Sequence, residues 1–165
     1  MAAVSAKPTL GVQSANLVLS RGGKFSDVAP GIRARMSRIR KIDTKPEMIV
    51  RRLTHQLGYR FRTHRRDLPG TPDLVFPSRR KIIFVHGCFW HRHACSNAGK
   101  IPQTRAEYWG PKLRRNVERD VAAYSDLAAS GWEILTVWEC EVSRDDLAER
   151  LRSFLGAPSN IRSTI

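Results

Sequence analysis

KIIFVHGCFWHRHAC, Lys81 to Cys95, is the stretch on which the fold of the whole chain turns. Its first half, Ile82, Ile83, Phe84 and Val85, is a β-branched and aromatic run of the length of a buried strand, and Gly87 supplies the backbone freedom to end it. The second half is a different kind of sequence. Cysteines, histidines and two adjacent large aromatics crowd together there, a density of polar and reactive groups that core packing alone does not require.

Cys88, His93 and Cys95 stand in a C-x4-H-x-C spacing, and the third cysteine of the chain, Cys140, closes a later apolar run. Three thiolates and one imidazole form a soft four-coordinate set of the kind zinc takes up, closed to water and therefore structural. Three buried thiols beside an unrelated histidine are the competing reading. An odd number of cysteines argues against a disulfide framework.

Upstream, Leu68-Pro69-Gly70-Thr71-Pro72 is a turn-rich link into Asp73-Leu74-Val75-Phe76, and Pro77 to Arg80 is a second turn, so strands 73–76 and 81–86 form an expected hairpin. That pairing brings Asp73 to the edge where the second strand ends. Thr44-Lys45-Pro46-Glu47 has the form of a capping box that opens a helix with Ile49, Val50, Leu53 and Leu57 on one face and Gly58 at its end. Tyr59 to Arg62 reads as a short strand. Downstream, Leu113, Val117, Asp120, Val121, Tyr124, Leu127 and Ala128 recur at helical spacing between about Pro111 and Ser130, and Trp109 falls on the loop before them. Trp132 to Trp138 reads as a mostly buried strand, and Ser143 to Asp146 as the cap and acidic first turn of a last helix carrying Leu147, Leu151 and Leu155. Helix, three strands, helix, strand, helix is a mixed α/β order.

At 165 residues the chain suits one domain, able to bury roughly two-thirds of the surface its unfolded form exposes. Residues 1–29 lack periodicity and read as a flexible tail, and residues 30–165 as the domain, entered through a basic arm of about 30–43. Between Arg33 and Arg66 twelve lysines and arginines face only Asp43 and Glu47, and the net charge is +14. Such an excess suits a phosphate partner, because neutralising phosphates releases counterions. No apolar run approaches the roughly 18 residues of a membrane-spanning helix, and the start lacks the basic and apolar regions of a secretory signal, so a cytoplasmic address is expected.

LPGTPDLV, IIFVHGCFWHRHAC, RAEYW, NVERD and GWEILTVWEC, in that order, resemble the very short patch repair endonucleases, the Vsr family. The match runs over roughly residues 33 to 142. The resemblance implies a fold like restriction endonucleases of the PD-(D/E)xK type, a central mixed sheet flanked by helices with a structural zinc site. It also implies a magnesium-dependent enzyme that nicks double-stranded DNA on the 5′ side of the thymine in a T:G mismatch, leaving a 5′-phosphate. By motif, Asp73 matches the magnesium-binding aspartate and Val85 a position whose backbone carbonyl also contacts magnesium, where the family usually has threonine. Phe84 and His86 stand where ordinary PD-(D/E)xK enzymes have glutamate and lysine.

The same resemblance makes His91 the general base, Asp120 its orienting carboxylate and His86 a neighbour of the scissile phosphate, while Glu47 matches an active-site glutamate as well as a capping residue. Phe89, Trp90 and Trp109 match aromatics that wedge into the base stack beside the mismatch, Met36 a residue inserted from the minor groove, and Lys112 and Asn116 positions that touch the mismatched bases. The expected partner is mismatched duplex DNA, with mismatch-repair proteins as candidate further partners, no membrane, and a monomeric enzyme. Two other functions fit the residues: a restriction-like nuclease cutting intact duplex at a sequence, and a zinc-stabilised DNA-binding module without catalysis.

Overall fold

The computed structural model describes residues 42–103 and 106–158, so the expected tail, nearly all of the basic arm and Met36 lie outside the described residues. The first helix, α1 (Lys45–Gln56), begins as its sequence dictates. Thr44 Oγ1 accepts from the Glu47 N–H at 3.5 Å and donates to Glu47 Oε1 at 2.8 Å, while Glu47 Oε2 accepts from the Asp43 N–H at 2.9 Å. Gly58, at φ +90°, takes the left-handed turn that leads the chain away from the helix end.

The buried face of α1 differs from the expected apolar stripe. It consists of Glu47, Val50, Arg51 and Thr54, with Leu53 and Leu57 only partly buried. Glu47 and Arg51 are inside as an ion pair that also engages Asp43, whereas the buried Thr54 hydroxyl and Arg51 Nε have no hydrogen-bond partner among the described residues.

The hairpin forms as expected. Strands β1 (Leu74–Phe76) and β2 (Lys81–His86) pair antiparallel with Leu74 opposite Ile83, joined by a 3₁₀ turn at Pro77–Arg79. Residues 59–62 do not form a strand. Arg62 alone bridges Val75, while the Tyr59 N–H bonds back to Thr54 in α1 and its hydroxyl donates to the Gly156 carbonyl at 2.6 Å, which draws that end of the segment away from the sheet.

The next helix, α2 (Ala106–Ala129), starts a turn earlier than its apolar spacing suggests and carries Pro111 and Trp109 inside it, so Trp109 is a helical residue. Pro111 is the sixth residue of the helix, beyond its first turn, so it removes the bond an N–H there would give to the Glu107 carbonyl. The helix buries Trp109, Leu113, Ala123 and Leu127, whereas Val121 is 62% exposed. Strand β3 (Glu133–Trp138) returns parallel to β2, with Lys81 opposite Glu133 and His86 opposite Trp138. It is one of the two edge strands of the three-stranded sheet β1-β2-β3, and unlike β1, which is buried throughout, it buries only Val137. The last helix, α3 (Leu147–Leu155), buries Leu147, Leu151 and Leu155. Asp146 precedes it without capping it, because its carboxylate is held by the Arg144 guanidinium at 3.1 Å.

Strand alternation sorts the core. Val50, Leu74, Phe76, Ile83, Val85 and Val137 pack with the α3 leucines on one face of the sheet. Val75, Ile82 and Phe84 pack with Leu127 of α2 and Trp132 on the other. The result is a mixed sheet with α1 and α3 on one side and α2 on the other. Gly70, at φ +73°, lets the turn before β1 press onto α2, since a Cβ there would come within 3.0 Å of Ala123 and 3.1 Å of the Phe84 ring.

Candidate functional site

The alternation that sends Val85 toward α1 and α3 sends His86 toward α2, and the chain then reverses at Gly87. The N–H groups of Trp90 and His91 bond to the Gly87 carbonyl at 3.1 and 3.2 Å, and that of His93 to the Cys88 carbonyl at 3.0 Å. Arg92 between the two histidines has φ +56°, a left-handed residue that aims His91 and His93 at different partners.

His91 points at α2, where its Nδ1 lies 2.5 Å from Asp120 Oδ2. Its ring stacks on His86 with centroids 3.7 Å apart and planes within 6°. His86 is 7% exposed, and burial lowers its pKa to about 4, with the neighbouring His91 adding to the effect, so the imidazole is neutral at physiological pH. The Tyr124 hydroxyl sits 2.8 Å from His86 Nε2 and 2.9 Å from Thr136 Oγ1. Burial raises the Tyr124 pKa, which keeps the phenol protonated.

Asp73 reaches the same end of the sheet. Its N–H bonds to the Ile83 carbonyl at 3.2 Å and its Oδ2 accepts from the Val85 N–H at 2.7 Å. Burial pushes the carboxyl up to about 7, opposed by that hydrogen bond and reinforced by the charge of Glu47, with Arg51 and His91 acting the other way. Glu47, Arg51 and His91 thus all lie within electrostatic reach of Asp73. Arg51 is buried, bonding to Asp43 at 2.5 Å and to Glu47 at 3.2 Å.

Cys88, His93, Cys95 and Cys140 form a second cluster whose donor atoms all lie within 4.8 Å of one another. His93 Nδ1 is 3.7 Å from Cys88 Sγ and 3.4 Å from Cys140 Sγ, the spacing of ligands around a common ion. Cys88 is fully buried, and burial pushes its thiol up to about 12, so a thiolate there requires a cation beside it. The four residues can hold a metal. Trp138 separates this cluster from the first, its ring stacked on His93 at 4.2 Å and tilted against His86 at 5.6 Å.

Beside the His91 loop lies an aromatic group. Phe89, Trp90 and Trp109 have mutual ring distances of 5.2, 5.7 and 5.9 Å, and Lys112 Nζ lies over the Trp90, Tyr108 and Trp109 rings at 5.6, 5.2 and 5.7 Å. Asn116 Nδ2 donates to the Trp90 carbonyl at 3.2 Å. Phe89 and Trp90 are partly exposed, whereas Trp109 is 8% exposed and braces them from α2.

Apart from Met36, every residue expected at the site is described, and the structure gathers them at one end of the sheet. Sequence reasoning missed Arg51, Tyr124, Thr136 and Trp138 as site residues. A signal existed for two of them. Arg51 follows Glu47 by four residues and Tyr124 follows Asp120 by four, the spacing that puts polar side chains on one helical face.

A family profile described as DNA mismatch endonuclease Vsr matches residues 30–97. Type II nicking enzyme V.XorIIP of Xanthomonas oryzae pv. oryzae is 53% identical over 121 residues, which is 73% of this chain and 88% of that protein. DNA mismatch endonuclease Vsr of Escherichia coli K12 is 41% identical over 130 residues, covering 73% of this chain and 83% of its own length. Type II nicking enzyme V.NmeAIP of Neisseria meningitidis serogroup A is 37% identical over 117 residues, covering 70% and 83%. Relatives at 53% and 41% identity, each covering 73% of this chain, place the chain in the DNA mismatch endonuclease Vsr family.

Proposed function

We propose that this protein nicks one strand of mismatched duplex DNA on the 5′ side of the thymine in a T:G pair, opening very short patch repair of deaminated 5-methylcytosine. One observation carries the reading: the His91–Asp120 pair stands within electrostatic reach of the half-buried Asp73 carboxyl, beside a lysine-topped aromatic group. The names of the relatives support a nuclease that cuts one strand. The hairpin, parallel third strand and helices on both faces suit a sheet of the PD-(D/E)xK type.

In this reading Asp120 accepts the His91 Nδ1 proton and leaves Nε2 free to take a proton from an attacking water. Water oxygen bonds to phosphorus as the bond to the 3′ oxygen breaks, leaving a 3′-hydroxyl and a 5′-phosphate. Asp73, with the Val85 carbonyl, would hold magnesium, whose bound form supplies charge stabilisation at the phosphate. The residues fit a hard cation, since Asp73 Oδ2 is committed to the Val85 N–H while burial beside Glu47 disfavours a lone carboxylate. His86 faces the same phosphate. Glu47 combines helix capping with water positioning in this scheme.

Cys88, His93, Cys95 and Cys140 fit structural zinc. A tetrahedral ion bonded at ~2.3 Å to sulfur and ~2.0 Å to nitrogen spaces such donors about 3.5 Å apart. The observed 3.4 and 3.7 Å straddle that edge. Phe89 and Trp90 wedge into the stack from the major groove, braced by Trp109, where a mismatched step opens most cheaply. Lys112 and Asn116 contact the mismatched bases, and Met36, on the basic arm, enters from the minor groove. We read the enzyme as a monomer of the cytoplasm, held at the nucleoid by its substrate. Among the described residues no helix is long and apolar enough to cross a membrane.

The test is to incubate the zinc-loaded protein with magnesium and labelled duplexes carrying each single mismatch, together with fully paired controls. The expected result is one nick, 5′ of thymine, in the T:G duplex. Equal cleavage of paired DNA, or no cleavage with any divalent ion, overturns the proposal.

A further inference from the structure

Three residues on three different elements form a hydrogen-bonded row. Thr136 is on β3, Tyr124 on α2 and His86 on β2, with the phenol oxygen 2.9 Å from Thr136 Oγ1 and 2.8 Å from His86 Nε2. The identity of the imidazole atom is fixed by distance. Turning the ring over would put Cε1 at 2.8 Å from an oxygen, inside van der Waals contact, so Nε2 faces the tyrosine. The remaining nitrogen, Nδ1, is then the one free to serve the reaction.

From this row we infer that Tyr124 is a positioning residue that fixes His86 as an Nδ1–H hydrogen-bond donor toward the substrate phosphate, with Thr136 holding the phenol in turn. The inference rests on the placement of His86 beside the phosphate. The direction of the row follows from its chemistry. A phenol is a stronger acid than an alkyl hydroxyl, and an imidazole nitrogen is a better acceptor than a hydroxyl oxygen, so the phenol proton goes to Nε2. The Thr136 hydroxyl donates to the phenol oxygen, and such a chain strengthens each member. With Nε2 accepting, the single proton of the neutral ring resides on Nδ1. His86 and His91, stacked at 3.7 Å, therefore have opposite duties: one donates to the phosphate, while the other accepts from water.

Ring packing supports positioning rather than chance contact. The Tyr124 ring lies 5.1 Å from Phe84 and parallel to His86 at 6.2 Å, so both partners of the hydrogen bond are held from the same side of the sheet. The phenol hydroxyl is the part of Tyr124 that these ring contacts do not require.

The test compares Tyr124→Phe, Thr136→Val, the double variant and His86→Ala on the zinc-loaded protein with T:G duplex and magnesium. Tyr124→Phe is expected to lower kcat about 10- to 100-fold with KM for DNA within about twofold, Thr136→Val to lower it less, and the double variant to match Tyr124→Phe. Long-range 1H–15N spectra of the wild-type protein should show His86 protonated at Nδ1 and bare at Nε2, and Tyr124→Phe should lose that single pattern. A wild-type kcat for Tyr124→Phe while His86→Ala is inactive overturns the inference and leaves the proposed function standing. A wild-type His86 protonated at Nε2 also overturns it. Full nicking by His86→Ala instead removes the placement of His86 beneath it.

Discussion

Two histidine clusters share the loop that follows β2, and they are made of opposite materials. One gathers three thiols and the His93 imidazole, soft donors whose atoms all lie within 4.8 Å of one another. The other gathers His86, His91 and Asp120, with Asp73 nearby, groups whose hydrogen bonds each leave one atom free. Their rings are kept apart by Trp138, flat against His93 and tilted against His86. The difference shows how a single loop separates stability from chemistry. Donors saturated by one another hold a fold, whereas donors half-satisfied by carboxylate or hydroxyl remain available to a substrate.

The sharpest way to break this comparison is to remove the first cluster. Cys140→Ser, or prolonged treatment with a zinc chelator, is expected to unfold the protein rather than merely inhibit it, because metal-linked folding free energy is on the order of 10 kcal/mol or more. A circular-dichroism melt unchanged by the chelator would count against the metal. Next in size is Asp120→Asn. On the proposed role of Asp120 in orienting His91, the variant should lower kcat by about 10²- to 10⁴-fold while leaving Tm within a few degrees. Parallel loss of Tm and kcat would merge the two clusters into one structural unit.

A third prediction concerns pH. Asp73 has a folded-state pKa raised from 3.8 to about 7, so the folded protein binds a proton there more tightly than the unfolded chain does. Its carboxyl costs nothing below the unfolded value, and the cost grows as pH rises through that window and levels off above it. Each tenfold change in proton affinity is worth about 1.4 kcal/mol. In magnesium-free buffer at pH 8, Asp73→Asn is therefore expected to stabilise the protein by on the order of 2–4 kcal/mol, with the gain shrinking toward pH 4. Stability unchanged at pH 8, followed by denaturant titration, would show that Asp73 is better solvated than its position implies. The smallest effect separates the two duties of Glu47. Thr44→Ala should cost about 1 kcal/mol of stability without changing kcat, because it removes half of the capping box and leaves the glutamate paired with Arg51.

The hairpin and the Cys88, His93 and Cys95 donors were legible from turn residues between apolar runs and from close spacing, whereas Cys140 joined them as the remaining cysteine and the His91–Asp120 pair rested on the family resemblance. What was not legible required knowledge of packing. The apolar residues of α1 suggested a face through Ile49, yet the helix turns Glu47 and Arg51 inward, where they pair with each other. Tyr124 looked like one more large residue on a helical stripe until Thr136 and His86 were brought to it from two strands. Tyr59 to Arg62 has strand propensity, but contacts at Thr54 and Gly156 take hold of Tyr59 first. Partners distant in the chain decided the Tyr124 and Tyr59 cases, and an ion pair one helical turn apart decided that of α1.

The parallel pairing of β2 with β3 has a consequence for how the enzyme comes into being. His86 lies opposite Trp138, so Cys88 and Cys140 each follow the last paired residue of their strand by two positions. The four-donor cluster therefore draws three residues from the loop after β2 and the fourth, Cys140, from beyond β3. On a ribosome, a growing chain would carry His86, His91, Asp120 and the Phe89–Trp90 rings before it carries Cys140. On the proposed roles, a product truncated before Cys140 would hold the reacting groups without the fourth donor of the cluster, and is expected to emerge blunt.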